Sequence, residues 1–300
     1  MAKQKSNIIN EYHLNQHEPQ KPQLAIYDLD AYLQKNHVNT TKPHIHSYYQ
    51  IIWFQSGKGK HFVDFAAYDV FNDAIFFIAK NQVHYFDHGT NYKGVMLHFN
   101  EAFLRKDDDV RDNFLAGNLF NNPYQQPSCC VGSSSINNLL REYIQQIKDE
   151  LQNEEEFGKE DLLRAYLKAF LIQVQRGKNR FEKANPDTPL LFDDKRVQLT
   201  RFTTLVDQHF NKGLSVAEYA DMMHLSVRTL SNLTNQLLNK TPSLMIQERI
   251  ILEAKRLLLY SNLNINQIGY RLGFDDPSYF VKYFKKHTNI SPSEFRKSVS

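Results

Sequence analysis

The strongest constraint on this chain of 300 residues is an internal repeat near its end. Ser215–Leu238 reads as a short helix, a turn at His224–Leu225 and a second helix from Ser226. Asn264–His287 repeats the plan, with its turn at Gly273–Phe274 and its second helix from Asp276. Apolar and small positions correspond: Tyr219 with Ile268, Ala220 with Gly269, Leu225 with Phe274, Leu230 with Phe280. A small residue in the first helix followed by a short turn is the helix-turn-helix pattern. Ala220 and Gly269 let two helices cross closely, and Gly273 supplies the positive φ that the turn needs. His224 takes that place in the first copy, at some strain. The stretch Pro242–Leu259, rich in Leu and Ile, reads as one long helix joining the copies.

Helix start signals support this reading throughout the region. Ser215-x-x-Glu218 is a capping box, and Asn264-x-x-Gln267 is a weaker one. Thr241–Pro242 and Asp276–Pro277 each place an N-cap before a proline at the first helical position. Ser291-Pro292-Ser293-Glu294 combines both devices. About seven short helices are expected from residue 199 onward.

The first half follows another period. Tyr48–Phe54, Lys60–Phe65, Ala74–Ala79 and Lys93–Phe99 are short, rich in aromatic and β-branched residues, and punctuated by Gly57, Gly59, Asn72–Asp73 and Gly89. Such spacing predicts antiparallel strands over about 25–99. In Ser134–Asn153 the apolar residues Leu139, Leu140, Tyr143, Ile144, Ile147 and Leu151 recur at steps of three and four, and Glu160–Gln175 repeats the stripe. The acidic run Glu154–Glu156 between them reads as a solvated turn. Residues 177–195, with Pro186, Pro189 and mixed charge, read as a linker. The expected organisation is a flexible arm at 1–22, a strand-rich domain at 23–132, a segment of two amphipathic helices at 133–178, a linker at 179–198 and a helical domain at 199–300. The fold class is multidomain α+β: an antiparallel β-barrel with two amphipathic helices, then an all-α domain of two helix-turn-helix units.

Charge points to the partner of the second half. Residues 200–300 carry 13 Lys+Arg against 8 Asp+Glu, whereas the rest carries 23 against 25. A basic excess confined to the helical third favours nucleic acid. The longest apolar run, Ala74–Ala79, is far shorter than the ~20 residues of a membrane helix. Met1–Ile9 has no apolar core or cleavage pattern. Cys129 and Cys130 are adjacent and supply neither a disulfide framework nor a thiolate zinc site. The expected location is the cytoplasm.

The stretch Ile265–Arg296 resembles the signature of the AraC/XylS family of bacterial transcription regulators. The residues that carry the resemblance are Ile268, Gly273, Phe274, Ser278-Tyr279-Phe280, Phe284, Lys285, Ser291-Pro292 and Phe295-Arg296. It covers about 205–297. Two positions depart from the family pattern: Thr234 stands where an aromatic like Phe284 is usual, and His224 replaces a common glycine. The resemblance implies sequence-specific binding of double-stranded DNA. On the first recognition helix Val227, Arg228, Ser231 and Asn232 face outward. Arg228 can bond bidentately to guanine and Asn232 to adenine. On the second, Pro277, Ser278, Val281 and Lys282 face out, while Tyr279, Phe280, Tyr283 and Phe284 turn partly inward. The resemblance places base contacts at these outward positions. Lys285, Lys286 and Arg271 serve phosphates.

The resemblance also implies a cupin-like barrel that binds a small-molecule effector, a homodimer formed through 133–178, and RNA polymerase as a further partner. His44-Ile45-His46 is the sharpest local feature of this half, since His-x-His on a strand sets both imidazoles on one face. Metal-binding cupins look similar but carry a Glu where Gln50 stands. A neutral amide replaces a carboxylate poorly, so neither metal nor cofactor is expected. The expected lining of the effector pocket is His44, His46, Tyr48, Gln50, Trp53, His84 and His98. The chain reads as a regulator rather than an enzyme. The alternatives are a metal-dependent cupin enzyme fused to a DNA reader, and a ligand-independent regulator whose barrel serves only assembly.

Overall fold

A computed structural model describes residues 9–15, 18, 23–88, 91–104, 119–120, 127–130, 134–153, 157–184 and 194–298. The described residues divide into two compact units, the first holding the strands from Glu11 onward with the helices up to Ala184, the second holding the helices from Asp194 onward together with Asn10.

In the first unit the described strands are β1 (Asn10–Tyr12), β2 (Leu24–Asp28), β3 (His44–His46), β4 (Tyr49–Ser56), β5 (Gly59–Val63), β6 (Ala66–Val70), β7 (Ala74–Ile78), β8 (His84–Phe86), β9 (Lys93–Phe99) and β10 (Ser128–Cys130). They form two five-stranded sheets, ordered β1-β3-β8-β5-β6 and β10-β7-β4-β9-β2. The α+β class holds. The expected barrel is realised as two sheets that no continuous ladder closes among the described residues.

The central strand β4 is buried on both faces, which is why it reads as a nearly unbroken apolar run. Ile52 and Phe54 on one face join Phe76, Ile78, Phe86 and Met96 in one core cluster. Tyr49, Ile51 and Trp53 on the other face pack with two long helices, α3 (Ser134–Gln152) and α4 (Lys159–Ala184). The stripes Leu140, Ile144, Ile147 and Leu163, Leu167, Phe170, Leu171, Val174 are spent there. Two shorter helices complete the unit, α1 (Leu29–Thr40) and α2 (Glu101–Leu104). The strand-like reading of 25–99 overlooks α1. Its anchors are few, mainly Leu29 with Tyr32 and Leu33, and Asn36 interrupts it with φ −115°.

Two boundaries of the expected organisation change. Part of the polar arm is β1, whose Tyr12 carbonyl accepts a hydrogen bond from the Ser47 N–H at 3.0 Å. An open sheet edge offers backbone partners to any sequence, apolar or not. The linker shortens at both ends, because α4 continues to Ala184 and α5 (Asp194–His209) has begun before 198. A glycine within a helical pattern, here Gly177, costs about 1 kcal/mol and does not end the helix. Pro186, Pro189 and the run Glu154–Glu156 lie outside the described residues.

The second unit is all helical. After α5 come a 3-10 turn (Phe210–Lys212), α6 (Val216–Met222), α7 (Val227–Leu238), α8 (Pro242–Tyr260), α9 (Ile265–Arg271), α10 (Pro277–Thr288) and α11 (Pro292–Ser298). The caps at Ser215, Ser226, Thr241, Asn264 and Asp276 are formed by their own side chains. Ser291 and Glu294 hydrogen-bond each other reciprocally at the start of α11. Helix α8 supplies two cores. Met245 joins Phe202, Tyr219, Leu230 and Leu233, and Ile251, Ala254, Leu257 and Leu258 join Ile268, Phe280, Phe284 and Phe295. Among the described residues no helix is long and apolar enough to cross a membrane.

Candidate functional site

The two helix-turn-helix copies match at the level of single hydrogen bonds. Leu225 N–H donates to the Ala220 carbonyl at 2.9 Å, and Phe274 N–H donates to the Gly269 carbonyl at 3.0 Å. His224 holds φ 57° where Gly273 holds φ 86°, so both turns pass through the left-handed region. A Cβ on Gly269 would lie 3.2 Å from the Cβ of Phe280, which explains the small residue at the helix crossing. Thr234 is fully buried, and its hydroxyl donates to the Ser231 carbonyl at 3.2 Å, so this departure from the aromatic pattern satisfies its polar atom locally.

Burial decides which side chains α7 and α10 present. On α7, Val227 is 44% exposed and Arg228 and Asn232 are exposed, while Ser231 is half-buried. On α10, Ser278, Lys282, Lys285 and Lys286 are exposed and Pro277 is half-buried. Two expectations need correction here. Val281 packs against the second core instead of facing out. Tyr279, expected to turn inward, is 59% exposed. The reason is that Phe280 and Phe284, both fully buried, define the inner face. Val281 lies about 100° from Phe280 on the side toward Phe284, and Tyr279 lies as far on the other side. Arg271 is exposed near the end of α9.

A residue without an assigned role also finds one. Arg296 donates from Nε to the Leu258 carbonyl at 3.1 Å and from a terminal nitrogen to the Leu263 carbonyl at 2.8 Å. It thereby closes the C-terminal end of α8.

In the first unit, five histidines are buried: His44, His46, His61, His84 and His98. Three lie together, with one ring nitrogen from each of His44, His46 and His84 within 4.8 Å of the others. His84 bridges two rings, its Nδ1 3.2 Å from His61 Nε2 and its Nε2 3.2 Å from His46 Nδ1. His44 Nδ1 donates to the Lys42 carbonyl at 2.8 Å. Tyr48 stacks on His46 with ring centroids 4.5 Å apart, and Tyr12 meets His44 edge-on at 5.5 Å. Gln50 Nε2 lies 3.0 Å from His98 Nε2. Burial holds all five imidazoles below their usual range; neighbouring histidines reinforce this for His46, His61, His84 and His98, whereas the Lys42 carbonyl partly offsets it for His44, and His61 and His98 are lowered to about 3. The cluster is therefore uncharged at neutral pH.

His44, His46, Tyr48, Gln50, His84 and His98 thus converge as expected, and His61 joins them unforeseen. Trp53 does not. Strand alternation puts it on the opposite face, under the Arg141 guanidinium at 5.6 Å and beside Phe170 at 6.4 Å. Aromatic character at that position serves the helix-packed core. A separate cleft of about 450 Å³ lies beside α1, lined among others by Asp30, Gln34, His37, Asp87, Tyr92 and Lys93. Its lining comes from two segments far apart in sequence, so no local pattern announces it.

Comparison with known proteins gives two family matches. The AraC-like ligand binding domain matches residues 26–167, and a helix-turn-helix domain matches residues 219–298. The HTH-type transcriptional activator RhaS of Escherichia coli O81 (strain ED1a) is 24% identical over 257 residues, covering 84% of this chain and 86% of RhaS. Among solved structures, ToxT of Vibrio cholerae is 16% identical, covers 92% of this chain and 98% of its own, and has a TM-score of 0.42. A transcriptional regulator with an AraC-type DNA-binding domain from Chromobacterium violaceum is 29% identical, covers 36% of this chain and 96% of its own, and has a TM-score of 0.33.

Proposed function

Because this chain belongs to the AraC/XylS family of DNA-binding transcription regulators, with an AraC-like ligand binding domain ahead of its helix-turn-helix units, we propose that α7 and α10 read two successive major grooves. The observation that carries this reading is the repeated geometry. Each copy presents an exposed polar face at the N-terminal end of a capped helix, set by the same turn. Arg228 and Asn232 read bases in one groove, and Ser278 and Lys282 in the next. Val227 and Pro277 edge these faces. Ser231 and Val281, partly buried, position the helices rather than reach bases. Lys285, Lys286 and Arg271 meet phosphates, which fix register without reading sequence. The two readers engage sites about one helical turn, ~34 Å, apart.

A small molecule binds the first unit and biases how the second engages DNA. Such control requires the effector to bind two arrangements of the protein with different affinity. His44, His46, Tyr48, Gln50, His84 and His98 form the polar lining for it. The same reading includes a homodimer and a contact with RNA polymerase. The apolar stripes of α3 and α4 are consumed within the chain, so a dimer uses what remains outside, such as Leu162, which is 40% exposed.

Selection of random duplex DNA by the full-length protein, at stated salt, tests the proposal. A motif of two blocks about 10 bp apart supports it. Binding that is sequence-blind and steeply salt-sensitive, with and without the first unit, overturns it.

A further inference from the structure

We propose that His44, His46 and His84 bind one divalent first-row transition-metal ion, of the class represented by Zn2+ and Co2+. The proposal goes beyond effector sensing and does not depend on it.

Geometry is the first support. Two nitrogens bound at ~2.1 Å to one tetrahedral ion lie about 3.4 Å apart, and about 3.0 Å apart at a right angle. His84 Nε2 and His46 Nδ1 are 3.2 Å apart, and one nitrogen of His44 lies within 4.8 Å of both. The backbone enforces this nearness, since His44 and His84 are directly paired across β3 and β8 and His46 follows two residues on.

The surrounding hydrogen bonds supply the second support. A ligating imidazole characteristically donates its other N–H to a fixed acceptor. His44 does so, Nδ1–H to the Lys42 carbonyl, which leaves Nε2 as a lone pair. His84 can do the same toward His61, whose Nε2 stands 3.2 Å from His84 Nδ1. A proton on His84 Nδ1 makes its Nε2 a lone pair directed at the position between His84 and His46. His61 is then the acceptor that sets the tautomer of His84, with its own proton on the buried and unpartnered Nδ1.

Chemistry of the donors completes the argument. Imidazole suits Zn2+, Co2+, Ni2+, Cu2+ and Fe2+ and does not suit Mg2+ or Ca2+. The neutral state these burials enforce is the state a ligand needs. Gln50 contributes no charge, being engaged with His98. An ion held here keeps its double charge. With three protein ligands, a tetrahedral ion has one position left for water or for an oxygen of a small molecule.

The test uses untagged full-length protein stripped with chelator and titrated with Zn2+ or Co2+. The expected result is one ion per chain, and for Co2+ a visible spectrum of nitrogen-rich, low-coordinate type. His46→Gln and His84→Gln should lose the ion, His61→Gln should weaken it about 10- to 100-fold, and His224→Ala, in the other unit, should leave it unchanged. Circular dichroism establishes whether each variant is folded. Should the ligand variants unfold, the wild-type titration decides alone. Wild-type protein that takes up neither ion at stoichiometric level overturns the proposal, as do folded ligand variants that bind like wild type.

Discussion

The carbonyl oxygen of Asn211 lies 2.0 Å from the point at which a Cβ on Gly273 would stand. Asn211 belongs to the 3-10 turn before the first helix-turn-helix, and Gly273 makes the turn of the second. The absence of a side chain at this residue therefore lets the second turn meet the segment that leads into the first copy, quite apart from its φ of 86°. His224, at the equivalent turn, also has positive φ but is exposed.

The two turn positions should respond differently to substitution. Gly273→Ala adds backbone strain and an overlap with main chain that cannot move aside, and should destabilise the second unit by more than about 2 kcal/mol. His224→Gly relieves strain but frees the unfolded chain, and should change stability by less than about 1 kcal/mol. Denaturant unfolding of both variants checks this. A Gly273→Ala protein as stable as wild type would show that Gly273 does not pack against Asn211.

Base reading is separable from phosphate binding. Arg228→Ala and Lys282→Ala should each weaken binding to a selected site by about 1–3 kcal/mol and relax the preference at one position. Lys286→Ala should weaken binding on all sequences alike and lower the salt slope by about one. Titrations on matched and scrambled duplexes at several salt concentrations distinguish the patterns. Equal loss on both duplexes for Arg228→Ala would reassign that residue to phosphate.

Arg296 acts through structure. Removing it leaves the Leu258 carbonyl at the end of α8 and the Leu263 carbonyl just beyond it without their charged donor, so Arg296→Ala should cost about 2 kcal/mol of stability. Arg296→Lys should not restore it, because an ammonium cannot reproduce the two-pronged reach to Leu258 and Leu263. Thermal unfolding of the three proteins provides the comparison, and full rescue by lysine would contradict the capping role.

The first unit should weaken in mild acid. His98 titrates near 3 when folded, and near ~6.5 in an unfolded chain. Below about pH 6.5 the unfolded state therefore binds the extra proton, and stability falls as pH is lowered from there toward 3. At pH 5.5 this one group accounts for about 1 kcal/mol of lost stability. In chelator, wild type should lose that much more than His98→Asn between pH 7.5 and 5.5. Parallel curves for the two proteins would mean that His98 is accessible to protons in the folded state.

Much of the second unit was legible in the sequence because its determinants are local. A cap needs its partner two or three residues away, a turn needs one residue of positive φ, and a helix stripe needs steps of three and four. Ser215–Glu218, Gly273 and the stripe of Phe280 and Phe284 all lie within such a span. The recognition face was nearly readable for the same reason. The inward edge was misjudged at Tyr279 and Val281, because the helix is rotated by the core it packs on, and that core includes Leu257 and Leu258 from another helix.

The first unit divides the other way. Its strands announced themselves by composition, but β4 is buried on both faces, so nothing local separates Gln50, which faces the histidines, from Trp53, which faces the helices. His-x-His was visible at residues 44–46. That His61 would meet them was not, since it sits on a strand 15 positions beyond His46 and is brought to His84 only by antiparallel pairing. The sequence by itself determined what this protein is, a tandem helix-turn-helix regulator with a sheet domain ahead of it. The tertiary structure alone decided which polar side chains share one dry space, because burial and sheet register are properties of the packed chain and not of any segment within it.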